Sequence, residues 1–451
     1  MRILLVNPPS LSIFSTFGFS QPPMGLLYLA ASLEAAGHHV QLRDLSLDGE
    51  QLSRQELQWA DLVGISSDTT RIIKAQAIAK RAAALGKPVV MGGPHPQFLP
   101  EDILADGTVS WIVKGEGEAV LPALVEVLQA GGDPGSVDGL IYRDQGRLRE
   151  TPNPMPLDVD KLPFPAWHLL PLDRYQSSVA GRLAAPVVTS RGCPGACHFC
   201  SSSIFFGRSW RARTAASVLD EIEHLYTQYG YRAITFMDDN FTLDPRRVEQ
   251  IADGIIQRGY DLKWWNFSRV DTIVKNPGMV AKMAAAGSAM VYLGIESGNR
   301  ETLNSLGKQS SLEEIEQAVK LLKEYGIGVY GSYIIGSLDE KPSDIERNLQ
   351  LAISLDTEVA QFSILTPYPG TALYQQLKER IFTRKWKFFD GLHLVFRHPT
   401  INRHHLQLLL ISSFIRFYRR SRRSIDGFQV VFSRRRLSLR SLVTCVWELL
   451  V

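Results

Sequence analysis

Cysteine is scarce in this sequence, with four residues in a chain of 451. So low a count leaves no basis for the disulfide framework that staples small secreted domains. The sequence also lacks any apolar run of the roughly 20 residues that a membrane-spanning helix requires. Hydrophobic residues make up 45% of the chain and charged residues 21%, the ordinary proportions of a globular protein. At this length we expect two or three domains, each with its own core.

We also expect no targeting signal at the start of the chain. Residues 1–7 predict a short strand, which is too short for a signal-peptide core and is followed by Pro8 and Pro9. We therefore expect a cytoplasmic protein. The net charge of only +3 conceals an uneven distribution, because residues 381–451 hold 14 Lys and Arg against three Asp and Glu. The preceding residues hold 35 basic and 43 acidic side chains, so the basic C-terminal end is the part suited to an anionic surface.

Three of the four cysteines, Cys193, Cys197 and Cys200, have the spacing C-x3-C-x2-C. Thiolate sulfur is the preferred ligand of iron–sulfur clusters and of zinc, so this spacing predicts a metal site. Three ligands would leave the fourth iron of a cluster open to a substrate, whereas a structural zinc requires a fourth ligand. His198 and the distant Cys445 are the candidates for that zinc ligand. A disulfide conflicts with the odd number and the close spacing.

The spacing C-x3-C-x2-C, with the aromatic Phe199 directly before the last cysteine, resembles the signature of the radical S-adenosylmethionine (radical SAM) superfamily. The resemblance implies a [4Fe–4S] cluster on the three cysteines and S-adenosylmethionine (SAM) bound to its open iron. Cleavage of SAM by one electron would give methionine and a 5′-deoxyadenosyl radical, which abstracts hydrogen from an unactivated carbon.

The first 150 residues alternate short apolar runs with helical patterns, which predicts a doubly wound, flavodoxin-like parallel sheet. The predicted strands are residues 3–6, 40–43, 62–66, 89–91 and 111–113, and the predicted helices are residues 26–36, 71–84 and 119–128. In such sheets ligands bind beyond the carboxyl ends of the strands. Glycines and small polar residues follow these strands and would let the backbone approach a ligand closely. A tight strand-to-helix turn is the alternative explanation for each of them.

Together these turns resemble the cobalamin-binding domain that precedes the radical SAM core in one large subfamily. The resemblance implies cobalamin contacts from Pro23, Gly25, Ser66, Ser67, Gly92, Gly93, Pro94, His95, Glu116 and Gly117. Many cobalamin proteins carry D-x-H-x-x-G, whose histidine binds cobalt, but residues 44–49 have Ser46 in its place. A hydroxyl is a poor cobalt ligand, so we expect a lower cobalt face without a protein histidine. His95 is the nearest alternative ligand, and an ordinary loop histidine is the other explanation for it.

Residues 139–150 alternate around Gln145 and Gly146 and predict a hairpin. Six prolines follow between residues 152 and 171. Because proline fixes φ and removes a hydrogen-bond donor, we expect a stiff extended linker there. We place a cobalamin-binding domain at residues 1–150, the proline-rich linker at 151–183, a radical SAM core at 184–380 and a basic, mainly helical region at 381–451.

The core repeats six strand–helix units, which predicts a partial (β/α)6 barrel with its functional residues at the carboxyl ends of the strands. The predicted strands are residues 185–189, 233–237, 264–268, 291–295, 329–335 and 361–365. The resemblance implies that SAM is bound by residues after these strands: Phe199, Asp238, Asp239, Asn240, Arg269 and Glu296. The alternatives are a helix cap for the two aspartates and a structural Arg269–Glu296 ion pair. Residues 336–340 depart from the Gly-x-Pro-Gly-Glu turn of relatives.

The C-terminal region combines an apolar helical pattern at residues 404–418 with arginines at 419–423 and at 434–436, before a second apolar run at 442–451. Apolar helices with flanking arginines are typical of segments that lie on anionic lipid. A helix packed over the barrel mouth with solvated arginines is the alternative. We do not expect a nucleic-acid partner, because no recognised binding module accompanies the charge.

The resemblance thus implies a cobalamin-dependent radical SAM enzyme, with C-methylation through methylcobalamin as the expected reaction. The alternatives are radical oxidation or cyclisation without methyl transfer, as in the anaerobic magnesium-protoporphyrin ester cyclases, and a non-catalytic cobalamin or redox sensor. We expect a small-molecule substrate, with a lipid or isoprenoid as one candidate, and a flavodoxin or ferredoxin as electron donor. Since the substrate must reach both cofactors, the ligand-binding ends of the two domains are expected to face each other.

Overall fold

The structure is a computed structural model that describes residues 1–9, 20–47 and 51–420. Two seven-stranded sheets organise these residues, one in each half of the chain. The two halves share one large hydrophobic core, which extends from Ile3 to Phe417.

The N-terminal sheet has the strand order β2-β1-β3-β4-β5-β6-β7. Its first five strands run parallel and its last two form an antiparallel hairpin. The strands are β1 (Arg2–Asn7), β2 (His39–Asp44), β3 (Leu62–Ser66), β4 (Val89–Gly92), β5 (Trp111–Val113), β6 (Leu140–Asp144) and β7 (Arg147–Glu150). The order 2-1-3-4-5 is that of flavodoxin-like doubly wound sheets, so the predicted fold is confirmed.

Among the described residues, six α-helices accompany this sheet: Met24–Ala35, Arg54–Trp59, Ile72–Ala83, Pro94–Phe98, Pro100–Ile103 and Gly117–Gln129. Three of them overlap the predicted helices. The prediction missed Arg54–Trp59, although Ser53 and Glu56 form a capping box at its start. It also missed the two helices that begin with Pro94 and Pro100, because helices of four or five residues show no periodic pattern.

The C-terminal sheet has the order β16-β15-β14-β13-β12-β9-β8, with six parallel strands and the antiparallel edge strand β8. These strands are β8 (Ser178–Val179), β9 (Arg182–Val187), β12 (Ala233–Phe236), β13 (Lys263–Ser268), β14 (Ser288–Glu296), β15 (Gly328–Ile335) and β16 (Val359–Ile364). Between β9 and β12 lies a separate two-stranded ribbon of β10 (Ser190–Arg191) and β11 (Arg211–Ala212). The predicted partial barrel of six parallel strands is confirmed.

The helices of this half are Ser202–Phe205, Ala215–Gln228, Pro245–Gln257, Val270–Val274, Pro277–Ala285, Arg300–Ser305, Leu312–Glu324, Pro342–Leu355, Ala372–Leu377 and Arg403–Arg419. Short 3-10 turns occur at Pro134–Ser136, Val159–Lys161, Trp167–Leu169, Leu172–Arg174, Phe241–Leu243, Lys378–Arg380 and Trp386–Phe388.

The proline-rich segment 151–183 is packed, unlike the bare extended linker that its prolines suggested. It contains three of the 3-10 turns, and its Trp167 side chain is fully buried. The backbone N–H of Ala166 donates to the carbonyl of Leu27, and the Tyr175 hydroxyl donates to Asp44. These contacts attach the proline-rich segment to the N-terminal domain. The prolines marked a segment without long helices, but they predicted neither its 3-10 turns nor its burial.

The C-terminal helix Arg403–Arg419 packs on β16 and on the helix Pro342–Leu355. Leu406, Leu410 and Phe417 are fully buried there. Arg416 forms a two-pronged ion pair with Glu346, and Arg420 donates to three backbone carbonyls. Within the described residues no helix is both long and apolar enough to cross a bilayer. Four parts of the predicted pattern lie outside the described residues: Arg422, Arg423, the basic group at 434–436 and the run at 442–451.

We expect Phe417→Ala to destabilise the protein by about 3–5 kcal/mol, because it removes a fully buried aromatic ring from this contact. Urea denaturation monitored by tryptophan fluorescence measures the change. Phe382→Ala is the matched control, because 41% of the Phe382 side chain is already exposed. Equal effects of the two substitutions would show that the helix does not pack as described.

Candidate active site

One cavity lies between the carboxyl ends of the two parallel sheets. Its volume is about 320 Å³. The N-terminal domain contributes seven of the ten residues that were predicted to contact cobalamin: Gly25, Ser66, Gly92, Gly93, Pro94, Glu116 and Gly117. The radical SAM core contributes Val188, Ser190, Arg191, Phe205, Phe206, Met237 and Asp239. The two ligand-binding ends therefore face each other, as the predicted chemistry requires.

Glycines give the N-terminal side of this cavity a surface that suits a flat ligand. At Gly25 and Gly115 an added Cβ would meet no atom within 4 Å, so the space beside them is open. Gly93 has a φ of +98°, and a Cβ there would lie 2.5 Å from the Ser67 carbonyl oxygen. Only glycine can adopt this turn without strain. Open space beside backbone without side chains fits a corrin ring.

The remaining three predicted cobalamin contacts, Pro23, Ser67 and His95, are not among the residues that line the cavity. His95 is buried, with its Nδ1 3.2 Å from the Thr69 hydroxyl and its ring against Trp386. Burial lowers the pKa of His95 to about 4, so the ring is neutral at physiological pH. No histidine lines the cavity in the described part of the chain. His95 thus packs against Thr69 and Trp386, and its contact with cobalamin stays a prediction.

Ser46 also has a structural role. Its hydroxyl donates to Asp44 at 2.6 Å, and Asp44 further accepts from Asn7 and Tyr175. This network joins β1 and β2 to the proline-rich segment. Both carboxylate oxygens of Asp44 accept hydrogen bonds from the protein itself.

The cysteine loop is the connection between β10 and β11, and its three thiols are free and half-buried. A Cβ placed on Gly195 would lie 3.3 Å from the Cys193 sulfur and 4.0 Å from the Cys197 sulfur. Across the described residues, no three His, Cys, Asp or Glu side chains converge on a point where one metal ion could bind. The three thiols lie close enough to influence one another electrostatically, and each could bind one iron of a cluster.

Contacts from three elements fix this loop. The backbone N–H of His198 donates to the carbonyl of Leu306, and that of Leu373 donates to the carbonyl of His198. Asp238 accepts hydrogen bonds from the Thr189 backbone and hydroxyl and from the Ser190 hydroxyl. These contacts hold the start of the loop against the end of β12.

Asp239 accepts from the Gly192 backbone N–H at 3.1 Å and from the Ser202 hydroxyl. Burial raises the pKa of Asp239, and its neighbour Asp238 adds to the effect. Both predicted aspartates therefore anchor the loop, rather than capping the next helix, and only Asp239 also lines the cavity. Asp244 is the residue that caps the helix Pro245–Gln257.

The environment of the thiols is partly buried and partly cationic. Burial raises the pKa of Cys193, while the Gly195 N–H and the Arg269 guanidinium oppose this shift. Burial likewise raises the pKa of Cys200, and the N–H groups of Ser203 and Ser202 oppose it. Since the thiolate is the form that binds metal, these donors favour the ligand form.

Glu296 has unusual backbone geometry, with a φ of +67° at the end of β14. Left-handed backbone at a residue other than glycine costs of order 1–3 kcal/mol and is concentrated at functional sites. The Glu296 carboxylate pairs at 2.9 Å with Lys308, and both side chains are buried. Arg269 pairs instead with Asp271 at 2.9 Å. The alternative of a structural Arg269–Glu296 ion pair was therefore wrong.

The other two predicted SAM contacts are Asn240 and Phe199. Asn240 is fully buried, and its side-chain N–H2 group has no hydrogen-bond partner among the described residues. Phe199 is half-buried and packs at the edge of the main core.

The turn at residues 336–340 departs from the pattern of relatives. A hydrogen bond to the side chain of Glu340, within the turn, closes it. Glu340 accepts from the Ser337 backbone N–H at 2.9 Å, and burial raises the pKa of Glu340 to about 7. His398 and Thr400 from the C-terminal region donate to the carbonyls of Ser337 and Glu340. The C-terminal region thus covers this turn.

Sequence reasoning missed the ion pairs that join the domains. Arg191 contacts Glu116 at 2.7 Å and Glu118 at 2.6 Å, and Arg211 contacts the second oxygen of Glu116 at 2.6 Å. Arg191 lies in the segment Thr-Ser-Arg-Gly-Cys and both glutamates lie in Gly-Glu-Gly-Glu. These segments were singled out, but nothing in the sequence indicated that they pair. Lys308 was also missed, since a single lysine after a short helix carries no signal.

Comparisons with known proteins agree with this architecture. Residues 11–125 match the family model described as B12 binding domain, and residues 187–352 match the Radical SAM superfamily. An uncharacterized methyltransferase of Pyrococcus horikoshii is 36% identical over 435 residues, which cover 93% of each chain. An anaerobic magnesium-protoporphyrin IX monomethyl ester cyclase of Rubrivivax gelatinosus is 27% identical, with 93% of this chain and 77% of the cyclase covered.

A solved structure shares the fold. The radical SAM methyltransferase TsrM from Kitasatospora setae, with cobalamin and a [4Fe–4S] cluster bound, superposes with a TM-score of 0.71 at 23% identity. The match covers 84% of this chain and 78% of TsrM. With the geometry of the shared cavity and the cysteine loop, and with a relative that matches nearly end to end, the chain belongs to the cobalamin-binding radical SAM enzymes, which use a [4Fe–4S] cluster, SAM and cobalamin.

Proposed function

We propose that this enzyme methylates an unactivated carbon of a small molecule bound in the shared cavity. The observation that carries the proposal is the cavity itself, which is lined by the carboxyl ends of both sheets. A single space bordered by both domains allows one substrate to reach both cofactors. The similarity to a methyltransferase over 93% of the chain supports the reaction type.

In this proposal the chain holds the cofactors and excludes water. Cys193, Cys197 and Cys200 would hold the cluster, and the glycine-lined side of the cavity would hold cobalamin. When bound, the cofactors supply hydrogen abstraction and the methyl group. The protein supplies orientation, because the loop that bears the thiols is fixed by Asp238 and Asp239 on one side and by Leu306 on the other.

We assign SAM binding to Glu296, Arg269, Phe199 and Asn240. Glu296 supports this assignment by its strained backbone and Asn240 by its unpartnered side-chain donor. Arg269 supports it by position, because its Nη1 would lie 3.3 Å from a Cβ on Gly195, beside two of the thiols. Asp238 and Asp239 would act on SAM indirectly, through the loop that they anchor.

A second candidate is radical oxidation or cyclisation without methyl transfer. The similarity to the Rubrivivax cyclase over 93% of this chain is the observation that favours it. A sensor that retains the cofactors without turnover is the third candidate. The three differ in their products, so one experiment separates them.

The partners are also part of the proposal. The half-buried cysteine loop would accept electrons from a flavodoxin or ferredoxin, which turnover with either reduced protein would check. The cavity wall is mainly apolar, with Met24, Leu26, Leu29, Ile65, Met91 and Phe206 among its residues. This wall favours an apolar substrate such as a lipid or isoprenoid. We further propose that the C-terminal helix brings the enzyme to an anionic membrane, since it exposes Leu408 and Ile415 and ends at Arg419.

Anaerobic incubation of the reconstituted wild-type protein with cobalamin, SAM and cell extract should give 5′-deoxyadenosine and a product heavier by one methyl group. Two molecules of SAM should be consumed per product, one for each cofactor reaction. Mass spectrometry measures both. A product that has lost hydrogen without gaining carbon would favour oxidation, and absence of 5′-deoxyadenosine would favour the sensor.

Cys197→Ala is the matched variant for this experiment, because two thiolates cannot hold the cluster with one iron open. We expect it to lack both the iron–sulfur absorbance and 5′-deoxyadenosine. Cys445→Ala is the control and should retain both, because Cys445 lies outside the C-x3-C-x2-C spacing.

Glu296→Gln should weaken SAM binding about tenfold or more while the iron content stays unchanged, because a charge-assisted hydrogen bond contributes about 1.5–3 kcal/mol. Asp238→Asn should instead reduce the iron content, since it disturbs the start of the cysteine loop. Equilibrium dialysis with SAM and iron analysis measure the two effects. Glu316→Gln is an exposed control that should change neither. Equal SAM affinity in Glu296→Gln and wild type would remove Glu296 from the site.

The double variant Leu408→Gln, Ile415→Gln should lose sedimentation with phosphatidylglycerol vesicles, because these side chains are 58% and 49% exposed and would enter the lipid. Ile73→Gln, which changes an isoleucine that is 56% exposed on another helix, should sediment like wild type. Wild-type protein that stays in the supernatant, or a double variant that still sediments, would contradict the membrane contact.

A further inference from the structure

The two ends of the cysteine loop carry like charges that face each other. Residues 192–210 connect β10 to β11, and these strands pair so that Arg191 lies directly opposite Arg211. Like charges in opposed positions of an antiparallel pair are destabilising. The ribbon at the two ends of the cysteine loop therefore requires an anion between Arg191 and Arg211.

That anion comes from the other domain. Glu116 contacts Arg191 through one carboxylate oxygen at 2.7 Å and Arg211 through the other at 2.6 Å. Its side chain is 12% exposed, against 9% for Arg191 and 18% for Arg211. Arg191 uses its second guanidinium nitrogen for Glu118, whose side chain is 5% exposed. One carboxylate of the cobalamin-binding domain thus bridges both ends of the loop that bears the thiols.

Glu116 also borders the cavity. It follows β5 and directly precedes the helix Gly117–Gln129, and it lines the cavity with Gly115 and Gly117. A ligand in the cavity would therefore lie beside Glu116. The carboxylate in turn restricts the separation of Arg191 and Arg211, and so the ends of the loop.

We propose that Glu116 is a positioning residue that joins both ends of the cysteine loop to the cobalamin-binding domain. Through this contact, cobalamin binding and cluster binding stabilise each other. The proposal rests on the proposed function only in taking cobalamin as the ligand of the cavity. The coupling is reciprocal, because a free energy that links two binding sites acts equally in both directions. Couplings of this kind typically change affinity about 5–150-fold.

The experiment uses the full chain in two forms, with the cluster reconstituted and without it. Titration with hydroxocobalamin, followed by visible absorbance, gives the dissociation constant of each form. In the wild type we expect the cluster to tighten cobalamin binding at least about fivefold. In Glu116→Gln this ratio should fall to about one, because the neutral amide cannot bridge two cations.

The reverse direction gives a second readout. We expect hydroxocobalamin to slow the release of iron to a chelator severalfold in the wild type and not in Glu116→Gln. Glu101→Gln, at an exposed glutamate of the same domain, is the control and should keep both couplings. Glu116→Asp, which retains the charge on a shorter side chain, should restore part of them.

The ratio of the two cobalamin dissociation constants, with and without the cluster, also distinguishes a positioning role of Glu116 from direct contact between Glu116 and cobalamin. Direct contact alone would weaken cobalamin binding by the same factor with and without the cluster, and this result would overturn the proposal. An uncoupled wild type that binds both cofactors would overturn it while leaving the proposed function intact. A wild type that binds neither cobalamin nor iron would overturn both. If Glu116→Gln does not fold, Arg211→Gln removes the same bridge from the loop side, with the same expected loss of coupling.

Discussion

A largely buried set of ion pairs between Arg191, Arg211, Glu116 and Glu118 joins the two halves of this enzyme beside the cavity. The pairs connect the glycine-rich turn after β5 to the ribbon of β10 and β11, whose connecting loop carries the three cysteines. Each domain has a common fold that occurs without the other. Their relative placement is what creates one cavity from two sheet edges, and these charges lie directly beside it.

Buried ion pairs are costly to desolvate, so they contribute little net stability compared with apolar packing. Removal of one partner is nevertheless strongly destabilising, because it leaves a buried charge without compensation. Such a contact therefore selects one arrangement of the domains more than it stabilises the fold. Phe98 and Gly370 add close packing between the same two halves, because a Cβ on Gly370 would lie 2.5 Å from the Phe98 ring.

The elements of the fold could be predicted well because their signals are local. Apolar strands such as residues 3–6 and the cysteine spacing at 193–200 are visible in short windows of sequence. The use of each residue depends on three-dimensional contacts that short sequence patterns do not specify, and there prediction was weaker. His95 turned out to pack against Trp386, nearly 300 residues away in sequence, and Arg269 and Glu296 turned out to pair with Asp271 and Lys308. A proline-rich composition likewise predicted an extended linker at residues 151–183, but not its 3-10 turns or the burial of Trp167.

The central claim is that cluster and cobalamin face the same cavity. Electron paramagnetic resonance of the protein reconstituted with cob(II)alamin and the [4Fe–4S] cluster tests it directly. The claim predicts that the cob(II)alamin signal relaxes faster when the cluster is reduced and paramagnetic than when it is oxidised and diamagnetic. Relaxation of cob(II)alamin that is the same in both states of the cluster would contradict it.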